Sequence, residues 1–342
     1  MDYRKTLCEL VATPGPPGEE KAVLDLLVTY LEQMSFKWET DAKGNLLVRL
    51  GEGRPKIVVT AHMDEIAMMV RRIETSGRLR VGALGGLFAW KLGEGPVQVM
   101  AQAGPIDGIL SFGSIHTADP GSTVRQAVSG PLEWEMAHIL TGLSGEDLLK
   151  KGVLPGTRVV VSPARRKIVE LGPLIGSYFL DDRADLVSWL LALEALKDLK
   201  ADVLFAATAA EEVGGEGALY ILNEYRPDVC IALELGPDVG DAPVDLTDQP
   251  TVWVSDSYSM MAAADVQLLA ELGRKLGMGL QFQALSRGGS DASCAASHGL
   301  CGRPITLGLP MENSHGFEVM HPEAIPQLAR LTEALVRRLA KS

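Results

Sequence analysis

Two adjacent carboxylates, Glu211 and Glu212, follow an apolar, β-leaning run at residues 203–208. Such a run has the composition of a strand buried on both faces. Neighbouring acids at its end repel each other, and a bound cation relieves that repulsion most directly. Gly214, Gly215 and Gly217 come next and let the backbone approach a bound group closely. In open α/β sheets, ligands bind beyond the carboxyl ends of the strands. Taken alone, the pair reads equally well as a solvated acidic loop closing a strand. The rest of the chain separates the two readings, because its apolar strands repeatedly end in ligand-type side chains.

The run KIVVTA leads directly into His62, Met63, Asp64 and Glu65. A histidine just past a buried strand, with an aspartate two residues on, suits a metal ligand whose second ring nitrogen is oriented by a carboxylate. Leu180 is followed by Asp181 and Asp182, the strand at 227–233 ends in Glu234, and the short strand at 305–307 precedes a loop carrying His315. His62, Asp181, Glu212, Glu234 and His315 thus stand at strand ends or in the loops beyond them. Two imidazoles and three carboxylates suit zinc, cobalt or manganese. Three carboxylates exceed what one four-coordinate ion needs, whereas two cations ~3.5–4 Å apart sharing one carboxylate account for them all. Glu211 is left over beside a ligand, placed to take a proton from an activated water.

Helical spacing at 2–11 and 19–32, then strands and helices in alternation from residue 174 onward, predict an α/β fold with a mixed sheet between helices. Between about 70 and 163 the character changes: Gly and Pro are dense, and short alternating runs such as GPVQVMA and GILSFGS replace long helices. We therefore expect a catalytic α/β domain at 1–68 and 166–342, with a small β-barrel-like domain inserted at 69–165. Within the insert, SGEDLLKKG carries a Ser144–Asp147 helix-capping pattern.

The 342 residues are 46% hydrophobic, enough for a sizeable core, and the net charge of −12 argues against nucleic-acid or anionic-membrane partners. Four cysteines without a CxxC pair fit reduced thiols, and no apolar run reaches membrane-spanning length. A cytoplasmic protein is expected. His116, His138, His298 and His321 read as structural or capping residues, and Ser290-Asp291 lacks the lysine of a phosphate-binding loop. No GxSxG nucleophile turn is present.

AHMDEIA, FLDDRAD, EEVGGEGA, LEL, GGSDA and SHGFEV together resemble the motifs of the tetrahedral (TET) metallo-aminopeptidases. That family includes glutamyl and deblocking aminopeptidases and proteins labelled endoglucanase or cellulase M. The resemblance covers nearly the whole chain. It implies that His62 and Glu234 hold one metal, Glu212 and His315 the other, and Asp181 bridges them, with Glu211 as general base and Asp64 orienting His62. It further implies two divalent ions, zinc or cobalt, short peptide substrates, a cis peptide between Asp181 and Asp182, and a dodecamer built from dimers through the inserted domain. Ala67 and Asp185 depart from the usual glycines, Glu234 from the usual aspartate, and Glu312-Asn313-Ser314 from an aromatic-containing tripeptide. Asp185 is expected at a helix N-terminus, where the helix dipole favours its charge. Two other readings stay open: an amidohydrolase or deacylase of N-acyl amino acids, and a non-catalytic homologue with a degraded site.

Overall fold

The structure, a computed structural model, describes residues 1–341. Its organisation follows from alternation along the central strands. In Val203–Thr208, Val203, Phe205 and Ala207 enter the core on one face, while Leu204 and Ala206 enter the core on the other. Ile57–His62 repeats the pattern, with Ile57, Val59 and Ala61 opposed to Val58. Apolar residues at both phases of a two-residue period make a strand that helices must cover on each side. Helices Tyr3–Ala12, Lys21–Gln33, Leu180–Ala195 and Ala324–Leu339 cover the first face. Glu216–Tyr225 and Asp291–Ser297 cover the second.

The sheet is mixed. At its centre Val203–Thr208, Ile57–His62, Val229–Pro237 and Pro304–Glu312 run parallel, so their carboxyl ends share one edge. Antiparallel strands flank them, Leu46–Leu50 on one side and Phe317–Met320 with Leu174–Tyr178 on the other. Register aligns Thr208 with His62, and Glu234 with Gly308. The acids at 211–212, His62 and Glu234 are therefore brought to one edge by strand pairing alone.

Between Ile57–His62 and the second half of the sheet the chain forms a closed antiparallel barrel. Its strands lie in the order Ala67–Ile73, Leu79–Leu84, His138–Leu140, Ile106–Ser111, Gly95–Val99 and Arg158–Val161. Met68, Val70, Leu79, Val97, Leu110 and Val159 are among the residues that fill its core. The Ser144 hydroxyl accepts from the Asp147 amide at 3.1 Å and caps the helix Gly145–Lys150, as its pattern predicts. Both chain crossings between sheet and barrel meet at one buried ion cluster. Glu65, on the outgoing crossing, bonds to Arg166 on the return and to Arg183 of the helix Leu180–Ala195. All three side chains are buried, and Arg166 and Arg183 also donate to the carbonyls of Val11 and Met63. Among the described residues, no helix is long and apolar enough to cross a membrane.

Candidate metal centre

His62 ends its strand, with its backbone N–H donating to Asp182 Oδ2 at 2.6 Å. Its Nδ1 lies 3.1 Å from the carbonyl oxygen of Asp64, and its Nε2 lies 3.2 Å from Asp181 Oδ1. His315 mirrors this arrangement from the far side. Its Nδ1 is 3.0 Å from the Gly86 carbonyl oxygen, and its Nε2 is 3.4 Å from Asp181 Oδ2 and 3.8 Å from Glu212 Oε2. A carbonyl only accepts, so each Nδ1 carries a hydrogen, and each neutral imidazole turns the Nε2 lone pair toward carboxylate oxygens. Acceptor then faces acceptor. Only a cation between them, a proton or a metal ion, makes these contacts favourable.

The side-chain donors fall into two groups that share Asp181: His62, Asp181, Asp182 and Glu234, and Asp181, Glu212 and His315. Within each group the ligand atoms lie within 4.8 Å of one another. All five residues expected as ligands are thus brought together, and Asp182 joins the first group unanticipated. Imidazole nitrogen with carboxylate oxygen is a donor set that fits divalent transition cations. Asp181 and Asp182 interrupt the first turn of Leu180–Ala195 with non-helical backbone angles, and the peptide between them is cis, as the resemblance implies. Glu318 receives the amides of Asp181, at 3.1 Å, and His315, at 3.0 Å, so one carboxylate places the backbones of two candidate ligands.

The electrostatics call for added positive charge. Burial, reinforced by Asp291 and by Glu212, pushes Glu211 well above the usual carboxylate range. Burial, reinforced by Asp181, pushes Glu234 well up and Glu212 up to about 7, His315 opposing in the latter case. Burial alone would depress the His62 imidazole, yet Asp182, Asp181 and Asp64 raise it well above its ordinary value. Asp181 is the exception. It is buried too, but His315 and His62, once protonated, donate to it and hold it below the ordinary range.

Asp185 stands in the first regular turn after the interruption at Asp181 and Asp182, as expected of a helix N-terminus. It lies within the helix, fully buried, and neither carboxyl oxygen has a hydrogen-bond partner among the described residues. Burial pushes it up to about 8, outweighing any benefit from the helix dipole, and its neighbour Asp182 is raised as well. Asp64 also does more than was read from sequence. Its carboxylate stands 3.6 Å from His62 Nδ1 but accepts the amides of Glu211, at 2.9 Å, and Glu212, at 3.0 Å.

These groups line a cleft of about 810 Å³ whose lining comes from different parts of the chain. The barrel contributes Gly86, Phe88, Trp90 and Lys91; the sheet side contributes Trp253, Tyr258, Leu285 and Arg287. The Lys91 ammonium bonds to the Ser314 carbonyl, beside His315. Sequence reasoning missed the barrel loop because nothing local marks Gly86 as a partner of a histidine 229 residues away. Glu318 stood inside the quoted SHGFEV motif, which was the one signal that could have found it. His321 and His298 lie outside the centre, the former receiving the Glu323 amide at the start of the last helix and the latter bonding to Cys294.

The profile of the M42 glutamyl aminopeptidase family matches residues 44–331. The chain belongs to that family. It is accordingly a peptide-bond hydrolase, and a buried His/Asp/Glu cluster suited to divalent metal is what a metallo-aminopeptidase of this family requires. The lysyl aminopeptidase of Pyrococcus furiosus is 25% identical over 342 residues, covering 97% of this chain and 96% of its own. The Pyrococcus horikoshii TET1 peptidase, described as assembling into a tetrahedron or a large octahedral shell, superposes with a TM-score of 0.86 at 26% identity, covering 98% of this chain and 99% of that one. A PhTET1-12s dodecamer gives the same TM-score of 0.86 at 27% identity and the same coverage, 98% and 99%.

Proposed function

We propose that the chain is a dinuclear metal-dependent aminopeptidase that removes N-terminal residues from short peptides, with Glu211 as general base. The observation that carries this reading is the pair of Nε2 atoms facing the two oxygens of Asp181, at 3.2 Å and 3.4 Å. In this reading His62 and Glu234 would hold one cation and Glu212 and His315 the other, with Asp181 shared between them and zinc or cobalt as the ions. Such cations supply polarisation of the scissile carbonyl and acidification of a water. Glu211 accepts that water's proton and hands it to the leaving amine. The surrounding carboxylates retain the substrate's α-ammonium group, while the barrel wall and the Trp253–Arg287 wall flank the peptide.

The working form is a dodecamer built from dimers, with residues 69–165 as an inserted dimerisation domain. Ile109 and Leu140, exposed side by side on adjacent barrel strands, are consistent with such a contact, as are the shells formed by similar TET peptidases. Its place in the cytoplasm is consistent with four free cysteines. A panel of aminoacyl-anilides with added zinc or cobalt, run beside N-acetylated amino acids, tests the function. Anilide hydrolysis abolished by a chelator supports it. Preference for the acetylated substrates makes the chain a deacylase, and inactivity on both with metal present makes it a non-catalytic homologue. Light scattering that gives a monomer near 36.6 kDa at all concentrations rejects the assembly.

A further inference from the structure

The turn that carries the two glutamates is held amide by amide. Four consecutive N–H groups each find a side-chain acceptor from elsewhere in the chain. Ala209 donates to Asn45 Oδ1 at 2.9 Å, Ala210 to Glu20 Oε1 at 3.1 Å, Glu211 to Asp64 Oδ1 at 2.9 Å and Glu212 to Asp64 Oδ2 at 3.0 Å. Gly217 closes the turn behind them, where a β-carbon would come within 2.3 Å of the Ala209 oxygen. Within this turn Ala210 adopts φ +54°, a left-handed conformation that residues with a β-carbon avoid. That single reversal fixes the direction in which the backbone delivers Glu211 and Glu212.

Glu20 supplies the acceptor at this strained residue. It stands immediately before the helix Lys21–Gln33, yet its side chain makes no cap bond to that helix. The side chain is buried, and Oε1 also receives the Gly18 amide at 2.7 Å, which fixes the carboxylate against the TPGPPG segment. Glu20 does not line the cleft and approaches no substrate. Its hydrogen bond toward the centre runs to the backbone of residue 210.

We propose that Glu20 is a positioning residue for the reaction: by holding the Ala210 amide it aims Glu211 at the proton it must move. This rests on the reading of Glu211 as the general base. The required property is an oxygen acceptor at full reach, rather than a negative charge. Glu20→Gln keeps the Oε1 acceptor and its reach without the charge; Glu20→Asp keeps the charge and falls one methylene short. A misaimed base costs turnover far more than it costs binding or metal content, and small displacements of catalytic groups cost up to ~10²-fold.

The experiment measures kcat, KM and metal content for parent, Glu20→Gln, Glu20→Asp and Glu211→Gln, with melting temperatures recorded alongside. The inference expects Glu20→Asp to lose about 10- to 100-fold in kcat, with KM within about twofold and metal content equal to the parent. Glu20→Gln keeps kcat within about threefold of the parent. A Glu20→Asp enzyme with parental kcat, whatever its melting temperature, overturns the inference, as does a Glu20→Gln enzyme as impaired as the aspartate. Loss of metal in Glu20→Asp also overturns it, because the residue would then serve the ligand Glu212. The two readings separate cleanly. Parental turnover in metal-loaded Glu211→Gln removes the base and this inference with it, whereas an inactive Glu211→Gln beside a fully active Glu20→Asp removes this inference alone.

Discussion

His315 lies on the α/β side of the chain, yet its Nδ1 sits 3.0 Å from the carbonyl oxygen of Gly86, a residue of the barrel loop. That contact fixes the ring tautomer and turns Nε2 toward Asp181 and Glu212. The Lys91–Ser314 bond ties the same loop to the backbone beside the histidine. The barrel therefore completes the centre as well as standing beside it.

Gly86→Ala tests this dependence. A β-carbon there would lie 2.7 Å from His315 Nδ1 and 2.8 Å from its Cε1, so the ring must move. Metal affinity at the His315 side is expected to fall by ~10–100-fold, the usual effect of disturbing a residue that orients a ligand. Titration of metal-free protein with zinc, followed by turnover, reads it. Unchanged affinity would detach the barrel from the centre.

Glu65→Gln tests the buried ion cluster at the chain crossings. It leaves Arg166 and Arg183 buried without their shared carboxylate. Breaking one partner of a buried ion network costs about 3–5 kcal/mol. Denaturant unfolding of metal-loaded protein should show a loss of this size, and a loss under about 1 kcal/mol would contradict the cluster's role.

The pH dependence of metal-free protein has a definite sign. Burial raises Glu212 to about 7, and Asp185 and Glu318 to about 8, all above their ordinary values. Across the window from about pH 4 to about pH 8 the folded chain holds protons that the unfolded chain releases, so stability falls as pH rises. His62 and His315, also raised, lose their stabilising protons in the same direction. Asp181, which is lowered, acts oppositely and only in acid. Bound metal replaces those protons, so the gap in melting temperature between zinc-loaded and chelated protein should widen from pH 6 to pH 8. A gap that stays constant or narrows contradicts this.

Asp185→Asn isolates one contribution. The amide cannot ionise, so in metal-free protein the variant should match the parent's stability below about pH 4, gain on it as pH rises towards about 8, and hold that margin above. Melting curves at about pH 4 and about pH 8 decide it, and an equal penalty at both would show that the carboxyl makes an interaction that asparagine cannot.

The strand cores were legible because 57–62 and 203–208 carry apolar residues at both phases of the two-residue period, and the barrel because short alternating runs replaced helices. The ligand-type residues were legible because parallel strands deliver their ends to one edge, so each strand could be read locally. What escaped was the set of partners supplied over long sequence separations. Glu20 on the turn at 210, Gly86 on His315 and the Glu65–Arg166–Arg183 cluster leave no local periodicity to read. The burial of Asp185 escaped for a related reason, since it depends on packing that the helix pattern alone does not give.

The central claim divides neighbouring acids into a base and a ligand, and paired amide variants measure it most directly. Glu211→Gln should retain parental metal content and peptide binding while losing ~10²–10⁴-fold in kcat, the usual worth of a positioned general base. Glu212→Gln should lose metal together with activity. Near-parental turnover in Glu211→Gln at full metal content would contradict the account.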